Sequence, residues 1–209
     1  MEGSSPKRKS ISARITLWFF RHSQRRDILG VPVAFSGSDD EANEAFGRIG
    51  GAFELLRKYG TRTLTDLRRN TDGIFVWATA GALGEWHREA RLVVLEERHV
   101  LEPTISCPDI ASTLVHECTH ARLDRLGFEY TLELRERIEK LCFRRELAFA
   151  RRLPDAGNLI LQAQDQLARP PDYLTREAFR ARIIDKLIEL GVPKWVAYAI
   201  ERVSRRTAV

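Results

Sequence analysis

Apolar residues recur along this chain in two rhythms, and the switches between them mark out its elements. From Ser38 to Gly60, Ala42, Phe46, Ile49, Phe53 and Leu56 follow at spacings of three and four, the signature of one buried helix face. Ser38 with Glu41 three residues on forms a capping box at the start, and Gly60 stops the run. A short helix is expected in Thr61–Asn70. "GIFVWATA" and "ARLVVLEERHVLE" then read as strands, dense in β-branched and aromatic residues. "ISARITLWFF" near the start fits a strand or a short buried helix.

Helical spacing returns at Ile110 and persists. Pro108 suits a first helical turn and Gly127 the position just past an end, so a helix of about 108–126 is framed on both sides. Thr131 is a good N-cap for a second helix running to Leu153 before Pro154. Three further helical stretches are expected at roughly 156–168, 175–190 and 193–206. The expectation is an α+β domain over 13–153, preceded by a disordered basic tail over 1–12 and followed by an all-helical C-terminal extension over 154–209.

Composition narrows the class. A chain of 209 residues with 44% hydrophobic and 30% charged positions can bury a real core. No apolar run approaches the roughly 20 residues of a membrane span, and no signal peptide is visible, so the expected setting is the bacterial cytoplasm. The net charge of +5 is local: residues 1–30 hold seven Lys or Arg against two Asp or Glu, and the rest holds 27 of each sign. Basicity therefore belongs to a solvated tail rather than to a nucleic-acid-binding face. Cys107, Cys118 and Cys142 lack CxxC spacing and read as buried thiols, not metal ligands.

The chemistry lies in "VHECTHARLD". His116-Glu117-Cys118-Thr119-His120 is HExxH. Histidines four apart on a helix sit one above the other, so both imidazoles can reach one tetrahedral ion. Glu117 stands beside them, able to take a proton from a water acidified by zinc. His116 and His120 fall opposite the side carrying Ile110, Leu114, Cys118 and Ala121, a face the next helix can cover.

A catalytic zinc needs a third protein ligand. With a short turn around Phe128–Tyr130, the two helices are antiparallel neighbours, and the level opposite the histidines lies near residue 138. At about 1.5 Å rise per residue, Glu136 and Glu139 fall within about 3 Å of that level, and Glu146 about 12 Å away. Glu139 flanks the apolar stripe of Leu134, Ile138, Leu141 and Phe149, whereas Glu136 points further out. Glu139 is the expected third ligand.

These residues resemble the gluzincin branch of the zincin metallopeptidases, in which HExxH is followed about twenty residues later by a ligand Glu on the next helix. The layout over roughly 75–153 is similar to minimal zinc peptidases of the ImmA/IrrE kind. The resemblance implies a minimal zincin core, one Zn2+ per chain on His116, His120 and Glu139, Glu117 as general base, and a peptide or protein substrate. The third metzincin histidine is absent, Leu126 standing in its place. Phe143 stands four residues after Glu139, where an Asp would orient a ligand; Asp124 and Glu146 are the substitutes. Oxyanion stabilisation falls to Tyr130, with His99 and Tyr173 as further candidates. An extended substrate would add to an edge strand, and "RLVVLEERHV", with its charged second half, is the candidate.

A different function class is carried by "LIELGVPKWVAYAIERVSRR", which resembles the second half of a helix-turn-helix. That reading makes the chain a DNA-binding regulator through residues 175–206, with a regulatory or inactive zincin-like domain. Its second helix opens with Pro193, Lys194, Trp195, Ala197 and Tyr198, too apolar for base reading.

Overall fold

The structure is a computed structural model describing residues 9–79 and 82–170, with scattered positions between 184 and 198. Its elements are α1 (Ile11–His22), β1 (Gln24–Ile28), β2 (Val31–Phe35), α2 (Asp39–Tyr59), α3 (Thr61–Asn70), β3 (Gly73–Trp77), β4 (Gly84–His87), β5 (Leu92–Glu96), α4 (Glu97–Leu101), α5 (Cys107–Arg125), α6 (Leu132–Ala150) and α7 (Gly157–Ala168). The fold is α+β, with a five-stranded sheet and a helical C-terminal part. No helix among the described residues is long and apolar enough to cross a membrane.

The sheet runs in the order β1-β2-β3-β5-β4, parallel at its centre and antiparallel at both edges. Its alternating side chains feed two cores. Val33, Phe35, Ile74, Val76, Val93 and Leu95 face α2, α3 and α5 in the main core. Ala34, Phe75, Leu92 and Val94 face the opposite way, onto Phe20 of α1. Strands buried on both faces read as continuous apolar runs, which is why β3 and β5 are so apolar in sequence.

The α2 helix forms as expected, with the Ser38–Glu41 capping box in place and all five periodic residues buried. In α5, Pro108 lies in the first turn, and Gly127 follows the helix with a φ of +84°. Ser106 and Asp109 add a capping box there. α5 is buried around most of its circumference, since α2, α3, α6 and β4 all pack on it. Leu153, Ala156 and Leu159 join the main core, which ties α7 to the same body.

Several expectations change. "ISARITLWFF" is helix, and Ile11 and Ser12, expected in the tail, open it over the Ser10 N-cap. The apolar stretch after Ala90 divides: Leu92–Glu96 is strand, but the charged second half of "RLVVLEERHV" folds as α4. β5 is interior, between β3 and β4, so it is not the edge. The edge beside α5 is β4, "GEWH", a strand with no apolar run to announce it. On α6, Leu141 is exposed and Cys142 is buried with Ile138 and Phe149, so the inward stripe runs through the thiol.

Candidate metal centre

α5 and α6 pack antiparallel across residues 126–131, which brings their facing levels together. The Glu139 carboxylate lies 3.2 Å from His116 Nε2 and 3.5 Å from His120 Nε2. Glu136, by contrast, pairs with Lys140 on its own helix at 2.6 Å. His116 donates from Nδ1 to Glu146 Oε1 at 2.6 Å, and Ser112 Oγ donates to Glu146 Oε2 at 3.0 Å. One imidazole is thus held between two carboxylates. With its Nδ1 hydrogen committed to Glu146, His116 presents Nε2 towards Glu139 and His120.

His116, His120 and Cys142 also form a cluster that could hold a metal ion, with one donor atom from each lying within 4.8 Å of the others. Cys142 is the buried free thiol that its lack of CxxC spacing suggests, and it also lies within this cluster. Of the other two cysteines, Cys118 is buried, with Sγ directed at the Thr63 carbonyl, whereas Cys107, expected to be buried, is half-buried with Sγ against the Arg48 carbonyl.

Electrostatics divide these groups. Burial, aided by the His116 charge, pushes His120 down to about 4, so it is neutral near pH 7 with a lone pair to offer. Burial also opposes charge on His116, but hydrogen bonds to Glu139 and Glu146 overcome it and hold the imidazole well above its ordinary value. Glu139 is likewise buried, yet His116, His120 and Tyr130 keep it ionised, at about 2. Burial carries the Cys142 thiol far upward, with Glu139 and Glu117 adding to the effect. Glu117 is pushed up to about 7 by burial, while Glu139 and Glu146 raise it and His116 opposes them.

Around this group lies a cavity of about 430 Å³, lined by His116, Glu117, His120 and Glu139 together with Trp86, Arg88, Leu123, Phe128, Tyr130 and Arg135. Cys142 is absent from that lining and is completely buried behind it. β4 forms one wall, and its approach to α5 is close: a Cβ on Gly84 would meet Thr113 and Glu117. Tyr130 reaches in from the α5–α6 turn, donating its hydroxyl to Glu139 Oε1 and accepting from Arg135 Nε at 3.1 Å.

Of the two candidate orienting carboxylates, Glu146 bonds a histidine. Asp124 instead accepts from Trp86 Nε1 at 3.3 Å and pairs with Arg88 at 2.7 Å, tying β4 to α5. Phe143 stacks edge-on against His116 at 5.0 Å. His99 lies outside this cavity's lining, with Nε2 3.0 Å from Thr113 Oγ1. Tyr173 and most of the nucleic-acid-binding hairpin expected over 175–206 lie outside the described residues.

Compared with models of known families, with curated proteins and with solved structures, the chain matches none.

Proposed function

We propose that the chain is a zinc-dependent peptidase in which His116, His120 and Glu139 hold the metal and Glu117 is the general base. One observation carries the reading: both Nε2 atoms converge on the Glu139 carboxylate, in a cavity that Glu117 also lines. Two imidazoles and a carboxylate are a donor set suited to a catalytic zinc with an open position. Bound there, zinc would supply Lewis acidity, acidifying a water and polarising a carbonyl.

The chain's own residues supply the rest. Glu146 orients His116 through Nδ1, and Glu117 is placed to take a proton from water within the cavity. Tyr130 and Arg135 line the same cavity, and the Tyr130 hydroxyl would turn from Glu139 to donate to a developing oxyanion there. Among the described residues β4 pairs with β5 alone, so its outer edge can accept an extended peptide by main-chain pairing. This gives β4 the role first expected of β5.

Cys142 supports a second ligand set, His116, His120 and Cys142. Glu139 is favoured because it faces the cavity as an anion, whereas Cys142 sits behind it as a protonated thiol. Metal analysis of the wild type, His116→Ala, Glu139→Ala, Cys142→Ala and Glu117→Gln separates the two sets. The expected result is one zinc per chain, lost in the first two variants and kept in the last two, with cleavage of a fluorogenic peptide library lost in Glu117→Gln. Zinc kept by Glu139→Ala and lost by Cys142→Ala would move the third ligand to sulfur. A wild type without zinc affinity, or full cleavage by Glu117→Gln, would remove the peptidase reading.

A further inference from the structure

α1 is apolar on two opposite sides, and one of them faces away from the protein. Ala13, Leu17 and Phe20 turn inward, with Leu17 and Phe20 on the smaller core behind the sheet. Ile11, Ile15 and Trp18, spaced four and three apart, fall within about 60° of arc on the other side. They are 74%, 49% and 55% exposed. A helix lying on a protein surface ordinarily turns charged and polar residues to that side. Here the charged positions border the stripe instead, and all are basic. Arg14 and Arg21 lie along one flank, Lys9 precedes the helix, and His22 continues the stripe, stacked on Trp18 at 4.4 Å. α1 contains no acidic residue, and Glu89, accepting from Ser10 N at 2.7 Å, is a carboxylate at its N-terminal end. The chain's whole net charge of +5 resides in residues 1–30, which include this helix.

We propose that this face of α1 docks on an anionic lipid bilayer, lying along the interface with Ile11, Ile15 and Trp18 at the headgroup–acyl boundary and Lys9, Arg14 and Arg21 against lipid phosphates. An aliphatic stripe with a Trp, flanked by Lys and Arg, is the composition that seats a helix in the plane of such an interface. Other occupants use less of it. Duplex nucleic acid would engage the cations but leave Ile11 and Ile15 in water. A second copy would bring the same cations against these. Three apolar side chains on a helix about 18 Å long also fall short of the 20–30 residues a side of a stable protein interface. A bilayer asks for no matching shape. α1 lies on the opposite face of the sheet from α5, so docking puts the sheet between the lipid and the metal centre. Docking on lipid does not depend on the peptidase reading.

The test mixes the full chain with vesicles of phosphatidylcholine alone, or of equal parts phosphatidylcholine and phosphatidylglycerol, at about 0.15 M salt, and separates bound protein by flotation. Binding to the anionic vesicles only is expected. Arg14→Gln with Arg21→Gln should lower the partition about 25-fold, at about fivefold for each charge. Ile11→Ser with Ile15→Ser should lower it roughly tenfold or more. All four positions are exposed, so both variants should melt like the wild type by circular dichroism, which separates lost docking from lost folding. No binding to anionic vesicles, equal binding to neutral ones, or unchanged binding by either variant would overturn the proposal. A wild type that ignores vesicles but is dimeric by light scattering, and monomeric with the two serines, would give the face to a second copy. Retention on duplex DNA without vesicle binding, kept by the serine variant and lost by the glutamine variant, would give the cations to nucleic acid.

Discussion

Gly84→Ala should destabilise the protein, while Gly47→Ala should stabilise it. The Cβ added at Gly84 would lie 2.8 Å from Thr113 Cγ2, 3.1 Å from Glu117 Cγ and 3.3 Å from Leu95 Cδ2. The nearest of the three is the least free to withdraw. Thr113 is β-branched on a helix and hydrogen-bonded to the Asp109 carbonyl, while Glu117 and Leu95 are buried. β4 must therefore lift away from α5, at a cost of about 1–3 kcal/mol for an overpacked contact. For a domain of this size each kcal/mol moves Tm by about 2–4 °C, so a drop of roughly 2–12 °C is expected. Gly47 is an exposed position within α2, and a Cβ there meets nothing within 4 Å. Ala in its place should gain about 0.5–1 kcal/mol by helix preference alone, raising Tm by roughly 1–4 °C. Thermal melts followed by circular dichroism, with a urea midpoint for each variant, read both changes. A Gly84→Ala protein as stable as the wild type would show that β4 does not press on the HExxH helix as described.

Glu146→Gln keeps an acceptor for His116 Nδ1 but removes the charge; zinc affinity should fall about tenfold, and an unchanged affinity in a chelator competition would count against the orienting role. Tyr130→Phe should retain zinc while lowering kcat more than it raises KM, as loss of a transition-state donor does; an unaltered kcat would leave Tyr130 as a prop for Glu139. Ser106→Ala removes the α5 capping box and should cost about 1 kcal/mol, read as a lower urea midpoint.

How much of the fold can be read from the sequence depends on where each element lies. β3 and β5 are buried on both faces, so their apolar runs are continuous and plain. β1 and β4 are the sheet edges; "QRRDI" and "GEWH" carry charge because they meet water, and neither shows a strand pattern. The β1–β2 hairpin is hidden further by its turn. Leu29 takes a φ of 50° beside Gly30 at 77°, and Leu is no signal for a left-handed position. The charged half of "RLVVLEERHV" reads as an edge because polarity alone does not distinguish an edge strand from the exposed side of a helix such as α4.

The site divides along similar lines. Helical rise and an antiparallel turn are enough to place Glu139 level with the two histidines, because a ligand must share the metal's height. The same criterion sets Glu146 aside as a ligand, but it says nothing about orientation. His116 has two nitrogens, and the partner of Nδ1 has no reason to sit at the level that Nε2 faces. Glu139 and Glu146 are seven residues apart on α6, two turns and about 10 Å along its axis, and the His116 ring bridges them. Both carboxylates therefore follow from one helix face, one for each side of the imidazole. Cys142 lies between them on that face, which is why it comes within metal-binding distance without any cysteine spacing to announce it. Level along the helix alone recovers half of this arrangement. The residue that holds the other nitrogen of His116 is Glu146, about one turn beyond Cys142 on the same helix.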